Sequence, residues 1–331
     1  MPAHVIAEGG TNHGGNLETA KLLVDAAVSA GADSFKAQII YPDQCYLPRF
    51  YRDGRYVANE VYQQRTTTML PDEDYARLAD YCRSCGIEFA ATVFDSRSVA
   101  LVDALDVPYI KTASCDLTDS RLLEECAATG RRLVISTGMS TLAEIERAVS
   151  DVTATGHRDI VLMHCVSVYP CPLEDMNLTF IKVLRDTFGL PVGLSDHSES
   201  NLPAVVAVGM GATWFEKHLT LDRTAIGSDH SFAMEASAFR SYVDDVRAAE
   251  RACASHGAKV GTNECAIRSR VRRAVYAARD ISTGEVIQEA DVLIVRPEGP
   301  LAPNDAHLVL GRRAARAIAQ FEPLARDSVC Q

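Results

Sequence analysis

The chain has 331 residues, of which 47% are hydrophobic and 23% charged, and its formal net charge at pH 7 is -11. This composition is typical of a globular protein with one large domain and a second small one, and the acidic balance without a sustained basic stripe excludes nucleic-acid binding. No apolar run reaches the roughly 20 residues of a membrane helix, and residues 1–10 do not resemble a signal peptide, so we expect no membrane partner and a cytoplasmic protein.

Eight short segments rich in β-forming residues recur along the chain. We predict strands at 4–8, 34–38, 87–92, 109–114, 133–138, 160–165, 191–196 and 213–218. The segments between them include amphipathic stretches at 16–32, 72–86, 120–130, 141–156 and 201–212, each with a glycine near its C-terminal end. This alternation predicts an α/β protein with a (β/α)8 TIM barrel, whose active site lies at the C-terminal ends of the strands. A doubly wound open sheet is the alternative, but the first strand lacks the glycine-rich turn of a dinucleotide site.

Polar side chains interrupt the apolar runs at the C-terminal ends of nearly all the predicted strands. They are Glu8, Lys36, Gln38, Thr92, Lys111, Ser114, Ser136, His164, Ser195, Asp196, His197, Glu216, Lys217 and His218. In a barrel these ends meet at one rim, which favours a catalytic site over separate hydrogen-bonded core groups. For His164 alone we favour a hydrogen-bonded core histidine.

The lysines are few and unusually placed. The chain has six, and Lys36, Lys111 and Lys217 lie at the ends of predicted strands. A compact ammonium there can act as a point charge on a phosphate or a carboxylate. Their pattern indicates a small anionic ligand.

Two histidines at neighbouring strand ends, His197 and His218, have Asp196, Glu216 and Asp229 close by in the sequence. This mixture of nitrogen and oxygen ligands suits Mn²⁺, Zn²⁺ or Mg²⁺. A Lewis acid beside cations and hydroxyl groups suggests carbon–carbon bond formation at a carbonyl.

Ten cysteines are distributed over predicted strands and helices, and we expect them to be reduced thiols. Cys82 and Cys85 form the pattern CRSC near the end of a predicted helix. Because a zinc site would need a second such pair and a redox site a strand-to-helix junction, we assign these two a structural role.

Several longer motifs resemble the N-acetylneuraminate (sialic acid) synthase family. They are IAEGGTNHGG (6–15), IKTASCDLTD (110–119), LMHCVSVYPCP (162–172), VGLSDH (192–197), FEKHLTLDR (215–223) and GSDHSFAM (227–234). The C-terminal AARDISTGEVIQEADVLIVRPEGP (277–300) resembles the family's antifreeze-like SAF domain. The resemblance implies condensation of phosphoenolpyruvate with the open-chain aldehyde of an N-acetylated amino-hexose. The implied products are a nine-carbon 2-keto sugar acid and phosphate, and the implied cofactor is a divalent metal, Mn²⁺ or Mg²⁺.

The resemblance also implies roles for individual residues. It makes His197 and His218 metal ligands and Glu8 a proton-transfer carboxylate. It assigns phosphoenolpyruvate to Lys36, Lys111, Ser114, Ser136 and Ser195, and the sugar to Gln38, Asp116, Tyr169 and Asp229. To this substrate-binding set we add Thr92, at a strand end, and Ser167, which stands where sialic acid synthases carry asparagine.

We divide the chain into a barrel domain at 1–256, a linker at 257–268 with little periodicity, and a SAF domain at 269–331. The small domain is too polar to bury much surface alone. The resemblance implies a domain-swapped homodimer in which this domain lies over the partner's barrel and contributes Arg296 to the sugar's acetamido group.

Two departures from the family pattern leave the acceptor sugar open. Glu298 stands between Pro297 and Gly299, which places a carboxylate near the expected acetamido contact, and Ser167 replaces asparagine. N-acetylmannosamine and 2,4-diacetamido-trideoxyhexoses are both candidates. The alternatives are a phosphoenolpyruvate-dependent synthase acting on another aldose or a phosphosugar, and a noncatalytic sugar-binding paralogue.

Overall fold

The structure is a computed structural model that describes residues 2–254, 257 and 259–330. It divides into two compact units, Met1–Ala254 and Ser255–Gln331. The domain boundary predicted after residue 256 lies outside the described residues. Residues 1 and 331, the predicted ends of the two domains, also lie outside them.

Eight parallel strands form the first unit. They are β1 His4–Gly10, β2 Ser34–Ile39, β3 Glu88–Val93, β4 Tyr109–Thr112, β5 Arg132–Ser136, β6 Ile160–Cys165, β7 Val192–Asp196 and β8 Trp214–Thr220. Each strand pairs with the next in chain order, and β8 pairs with β1, which closes the sheet. A two-residue strand, Met234–Glu235, pairs with the end of β8. The predicted (β/α)8 barrel is confirmed.

A helix follows each of the eight strands in the chain. These are α1 Leu17–Ala30, α2 Asp72–Cys85, α3 Ser96–Ala104, α4 Ser120–Ala128, α5 Leu142–Ala154, α6 Phe180–Phe188, α7 Leu202–Gly209 and α8 Ala236–Cys253. Local sequence fixes their ends. Asn16 caps α1 by accepting a hydrogen bond from Thr19 N, and Gly31 ends the same helix in the left-handed conformation, which an L side chain rarely adopts.

The alternation of side chains along each strand separates two cores. Outward residues such as Phe35, Phe89 and Phe215 pack against the helices. Inward residues that include Tyr109 and Trp214 fill the barrel interior. Burial of each large apolar side chain stabilises the fold by roughly 1.5–3 kcal/mol. Because both faces of the strands are buried, the strand sequences show long apolar runs in which a polar residue stands out.

The connection from β2 to α2 contains an insert that the sequence analysis did not predict. It comprises a short helix Pro42–Cys45, an antiparallel hairpin of Arg49–Arg52 and Arg55–Ala58, and a helix Glu60–Thr68. Asn59 caps the last of these helices through the backbone N–H groups of Val61 and Tyr62. The insert follows the C-terminal end of a barrel strand, on the face where barrel active sites lie.

The second unit contains the helix Thr262–Val271 and an antiparallel pair of strands, Ala274–Ala277 and Val292–Val295. Its own apolar core is built from residues that include Val275, Ile287 and Leu324. The helix occupies part of the segment predicted as a linker and continues past its predicted end at 268. The limits of the linker and of the flanking domains stay predictions.

Within the described residues no helix is long and apolar enough to cross a membrane. The ten cysteines all lie in the described part of the chain and are free thiols. Cys82 is buried and Cys85 half-buried at the C-terminal end of α2, in keeping with the structural role assigned to the pair.

Candidate active site

The C-terminal ends of β1–β8, here called the barrel mouth, enclose a cavity of about 290 Å³. Its lining includes all the residues predicted to be catalytic, metal-binding or substrate-binding except Asp116, Asp229 and Arg296. Of the predicted strand-end residues, His164, Asp196 and Lys217 also lie outside it. The lining residues are Glu8, Lys36, Gln38, Thr92, Phe94, Lys111, Ala113, Ser114, Cys115, Ser136, Met139, Cys165, Ser167, Tyr169, Ser195, His197, Glu216 and His218. The predicted convergence of strand-end residues is therefore present.

A buried ion pair lies on the β1–β2 side of the cavity. The parallel register places Glu8 beside Lys36, and Glu8 Oε2 lies 2.5 Å from Lys36 Nζ. Lys36 Nζ also donates to Thr92 Oγ1 at 2.6 Å, and Gln38 Nε2 donates to Glu8 Oε1 at 2.9 Å. Burial raises the pKa of Glu8 above its ordinary value, although the Lys36 ammonium opposes this shift. A carboxylate with a raised pKa is a stronger base than an ordinary carboxylate and is better suited to accept a proton.

Glu216 joins the two lysines of the cavity. Its Oε2 lies 3.7 Å from Lys36 Nζ and 3.5 Å from Lys111 Nζ, and its Oε1 accepts a hydrogen bond of 3.1 Å from Ser195 Oγ. Burial alone would raise the pKa of Glu216, but the Lys111 and Lys36 ammonium groups outweigh it and lower the pKa to about 2. In the sequence, Glu216 was considered only as a rim residue and as a carboxylate near a metal. Its inward direction could have been inferred from its position two residues before His218 on the same strand, because such residues share a face.

Hydroxyl groups surround the second lysine. Lys111 Nζ donates to Ser136 Oγ at 2.6 Å, and Ser114 Oγ accepts from the backbone N–H of Gly138 at 3.1 Å. A Cβ atom at Gly138 would lie 2.7 Å from Ser114 Oγ and 2.6 Å from Ser167 Oγ. Only glycine therefore lets the loop after β5 approach this closely. Lys111, Ser114 and Ser136 thus line one cavity and offer an ammonium and two hydroxyl groups to an oxyanion.

The two histidines lie at the ends of β7 and β8, with ring centroids 5.6 Å apart. Because β8 pairs with β1, His218 is the register partner of Glu8 and lies on the same side of the cavity. His197 Nδ1 lies 2.8 Å from the carbonyl oxygen of Val166, so this nitrogen carries a proton. Burial alone would lower the pKa of His197, but Cys165 and the Val166 carbonyl outweigh it and raise the pKa. His218 Nδ1 is buried and has no hydrogen-bond partner among the described residues, while Asp229 Oδ2 lies 3.9 Å from it. Burial lowers the pKa of His218 to about 4, which keeps the ring neutral.

Lys217 does not face the cavity, so the prediction that it supplies charge to an anionic ligand is wrong. The reason is the two-residue period of β8, which turns Glu216 and His218 inward and Lys217 outward. Its Nζ lies 3.0 Å from Asp196 Oδ2, donates to the carbonyl oxygen of Ser198, and lies 5.5 Å from the ring centroid of Tyr242. Lys217 and Asp196 thus form a buried ion pair in the layer between barrel and helices.

His164 fits the role that the sequence favoured for it. Its Nε2 forms a hydrogen bond of 2.7 Å with the carbonyl oxygen of Met176, and the side chain is buried. It is a hydrogen-bonded core histidine outside the cavity lining.

Three of the residues predicted to bind the substrate lie outside the cavity lining. Asp116 follows β4, is half-buried, and has a pKa that burial raises to about 6. Asp229 is close to Gly10 at the mouth, since a Cβ atom at Gly10 would lie 2.9 Å from its Oδ2. Arg296 is an exposed residue of the second unit, which the structure describes by itself.

A larger groove of about 760 Å³ lies at the other end of the barrel, where β3, β4 and β5 begin. Its two central guanidinium groups are already paired, Arg131 with Asp103 and Asp106, and Arg132 with Asp159. Size alone would favour this groove, but it lies at the N-terminal ends of the strands, whereas barrel active sites lie at the C-terminal ends. We therefore place the functional site at the mouth.

A barrel with buried acids, bases and cations at the carboxyl ends of its strands is the architecture of an enzyme. The chain belongs to the NeuB family, whose model matches residues 23–258, and the model of the SAF domain matches residues 272–329. The resemblance noted in the sequence is thereby confirmed, as are the SAF domain and the expectation of an N-acetylneuraminate synthase-like enzyme.

Three similar proteins support this assignment. The chain is 35% identical to N,N'-diacetyllegionaminic acid synthase of Legionella pneumophila, over 95% of this chain and 90% of that protein. It is 32% identical to pseudaminic acid synthase of Campylobacter jejuni, over 95% and 93%. The crystal structure of N-acetylneuraminic acid synthetase from Leptospira borgpetersenii, in complex with citrate, superposes with a TM-score of 0.72 at 30% identity, over 81% of this chain and 90% of that chain.

Proposed function

We propose that the enzyme condenses phosphoenolpyruvate with the open-chain aldehyde of an N-acetylated amino-hexose. The products are a nine-carbon 2-keto sugar acid and inorganic phosphate. One observation carries this proposal: the mouth combines two buried lysines, each hydrogen-bonded to a hydroxyl group, with the imidazole rings of His197 and His218. The names of the relatives, which are synthases of legionaminic and pseudaminic acids, support the same reaction class.

Lys36 and Lys111 hold the anionic groups of phosphoenolpyruvate. Their ammonium groups lie in a buried site, where a charge interacts more strongly than it does in water. Ser114, Ser136 and Ser195 add hydroxyl donors, and Thr92 orients Lys36 through its hydrogen bond. Carboxylate and phosphate are thus fixed before the acceptor reacts.

The residues at the mouth fit a divalent metal, Mn²⁺ or Mg²⁺. His218 keeps a buried ring nitrogen without a hydrogen-bond partner among the described residues, and His197 is held by Val166 in the tautomer that frees Nε2. A backbone acceptor behind a ligating histidine is the usual second-sphere arrangement. In the part of the chain described, no group of three His, Cys, Asp or Glu side chains is arranged to hold a metal ion, so the protein offers the two histidines alone from this set. Such a metal supplies Lewis-acid polarisation of the acceptor carbonyl.

The reaction forms one carbon–carbon bond and releases one phosphate. C3 of the enol attacks the aldehyde carbon of the sugar, and water adds to C2, where positive charge develops. The tetrahedral phosphate ester then breaks its C2–O bond to give the ketone and phosphate. The overall balance is phosphoenolpyruvate plus aldehyde plus water to keto acid plus phosphate. Glu8 receives the proton of the attacking water, a role that suits its raised pKa.

Acceptor recognition uses the outer part of the mouth. We assign Gln38, Asp116, Ser167, Tyr169 and Asp229 to the sugar. Tyr169 lies over His197, with ring centroids 4.0 Å apart. In the homodimer that we propose, the SAF domain of one subunit is exchanged and contributes Arg296 to the acetamido group of a sugar at the partner's barrel. We place the enzyme in the cytoplasm, where its ten free thiols stay reduced.

The proposal is tested by phosphate release from phosphoenolpyruvate in the presence of Mn²⁺. The acceptor panel contains N-acetylmannosamine, its 6-phosphate and 2,4-diacetamido-trideoxyhexoses, with a chelator control and mass detection of the product. We expect a chelator-sensitive nine-carbon keto acid from one unphosphorylated acceptor. Turnover of the 6-phosphate alone favours the phosphosugar alternative. A folded, metal-loaded protein that releases no phosphate with any acceptor favours the sugar-binding paralogue.

A further inference from the structure

The loop Arg296–Gly299 of the second unit carries the residue that departs from the family pattern, Glu298. The sequence placed this carboxylate near the acetamido contact, but the structure directs it elsewhere. Glu298 Oε1 accepts a hydrogen bond of 2.9 Å from Arg268 Nε and lies 3.7 Å from Arg272 Nη1. Its backbone N–H also donates to the carbonyl oxygen of Ser269 at 3.1 Å. Glu298 therefore ties the loop to the helix Thr262–Val271.

The other side of the loop is held by the strand Ala274–Ala277. Tyr276 Oη donates to the carbonyl oxygen of Pro297 at 3.0 Å. Gly299 packs so closely that a Cβ atom there would lie 3.1 Å from Ala274 Cβ. Contacts on two sides restrict the backbone between Arg296 and Gly299, and all of them come from the same unit.

The charges of the loop are distributed unevenly. Arg268 and Arg272 both face the Glu298 carboxylate, which neutralises part of their charge. Arg296 is exposed and forms no hydrogen bond or ion pair with the described residues of the chain. Without the Glu298 carboxylate the loop would still carry Arg296, but on the helix side only the backbone hydrogen bond to Ser269 would hold the loop in place.

We propose that Glu298 is a positioning residue for acceptor recognition, acting through Arg268 to hold the Arg296–Pro297 segment in place. This inference rests on the proposed function, in which Arg296 contacts the sugar. A loop ordered in advance loses less conformational entropy when the ligand binds, so the ion pair improves acceptor affinity without touching the acceptor. With its carboxylate paired to Arg268, Glu298 does not oppose the binding of an N-acetylated sugar, and N-acetylmannosamine stays a candidate acceptor.

Steady-state kinetics of the full-length enzyme separate this role from a direct contact. Glu298→Ala should raise the KM for the acceptor about threefold to tenfold, and kcat and the KM for phosphoenolpyruvate should change less than about twofold. Glu298→Gln, which can still accept from Arg268, should remain close to the wild type. Glu285→Ala, which breaks an ion pair of similar exposure elsewhere in the same unit, is the matched control and should leave all three parameters unchanged.

A double-mutant cycle with Arg268→Ala gives the decisive comparison. If Glu298 acts through Arg268, the single variants should raise the acceptor KM alike, and the double variant no further than the larger of them. Additive effects would mean that Glu298 touches the sugar, and a lower acceptor KM in Glu298→Ala would mean that it opposes the sugar. Either result overturns the inference.

Two further measurements distinguish failure of the inference from failure of the proposed function. If Arg296→Ala leaves the acceptor KM unchanged, Arg296 is not in the acceptor site and both assignments fall. Hydrogen exchange of a peptide covering 296–301 needs no substrate, and Glu298→Ala and Arg268→Ala should both accelerate it. Unchanged exchange rejects the positioning role even if Arg296 binds the sugar.

Discussion

Glu8 and Lys36 face each other across the first two strands of the barrel, with Glu8 Oε2 2.5 Å from Lys36 Nζ and each side chain only 1% exposed. A carboxylate and an ammonium buried together at the mouth hold one proton acceptor and one cation in fixed positions. Burial raises the pKa of Glu8 although the Lys36 ammonium opposes this shift. A substrate anion that competes for Lys36 would therefore weaken that opposition and raise the pKa of Glu8 further.

Glu8→Gln should leave the fold intact, because glutamine has nearly the same shape and can still accept from Lys36. Loss of proton transfer at this position should lower kcat by about 10²-fold to 10⁴-fold, with a much smaller effect on the KM for phosphoenolpyruvate. Initial rates of phosphate release check both parameters, and a near-normal kcat would show that Glu8 does not move a proton.

Lys111→Met and Lys217→Met should differ, although both lysines lie near the ends of strands. Lys111 faces the cavity, so its loss should raise the KM for phosphoenolpyruvate at least about tenfold, a change worth about 1.4 kcal/mol. Lys217→Met leaves Asp196 buried without its cation, so we expect about 3–5 kcal/mol of lost stability and little change in that KM. Urea unfolding and kinetics on the two variants provide the test. The reverse pattern would contradict the assignment of faces on β8.

His218→Ala should abolish metal binding at the mouth while the protein stays folded. The substitution removes a buried ring nitrogen from a rigid strand end, and turnover should fall below about one thousandth of the wild type. Calorimetric titration of the substrate-free protein with Mn²⁺ measures binding directly, and His157→Ala at a half-buried position outside the cavity lining is the matched control. Unaltered Mn²⁺ affinity would remove His218 from the metal site.

Arg296→Ala should raise the KM for the acceptor sugar far more than the KM for phosphoenolpyruvate. The reason is that we assign this guanidinium to the acetamido group alone. Removing a hydrogen bond from a charged donor corresponds to about 1.5–3 kcal/mol, or roughly tenfold to hundredfold in the acceptor KM. The two KM values come from one set of initial rates, and equal changes in both would contradict the role of the SAF domain.

His4 makes the stability of the barrel depend on pH. Burial lowers its pKa to about 4 from an ordinary value of 6.5, with Asp33 opposing this and the guanidinium groups of Arg132 and Arg247 reinforcing it. Glu88 Oε2 lies 3.8 Å from its Nε2. Because the folded-state pKa is the lower one, the unfolded chain binds more protons between pH 6.5 and 4. The stabilisation is fully present above pH 6.5 and is lost as the pH falls through this window.

His4→Gln removes this contribution and should flatten the fall in stability between pH 6.5 and 4. Glutamine can still reach Ser34, whose Oγ lies 3.0 Å from His4 Nε2, although it loses the stacking on Trp214. Urea unfolding at several pH values gives the free energy of unfolding for both proteins. Parallel pH profiles of the variant and the wild type would show that His4 does not titrate in this range.

The architecture was readable from the sequence because the eight strands and the helices between them follow distinct periods. The site was readable as well, since polar residues that end apolar strands, such as Lys36 and His218, meet wherever a barrel closes. Lys217 was misjudged because a strand end has two faces, and position at the end alone does not say which face a residue takes. Glu216 was undervalued for the same reason, since its inward direction follows only from its spacing to His218.

Other features depend on tertiary contacts that no local pattern shows. The hairpin Arg49–Ala58 lies in a long polar insert without strong alternation. The helix Thr262–Val271 has no buried residues and no apolar face, so its sequence looked like a linker. The partner of Glu298 is thirty residues away on that helix, at Arg268. Its direction could therefore not be inferred from the loop sequence.

The central claim is that phosphoenolpyruvate loses phosphate by cleavage of its C2–O bond while C3 joins the sugar. The most direct measurement uses phosphoenolpyruvate labelled with ¹⁸O in the bridging position, with the best acceptor from the panel and mass spectrometry of both products. We expect ¹⁸O in the released phosphate and a nine-carbon keto acid in equal amount. Unlabelled phosphate, or phosphate released without the keto acid, would contradict the account.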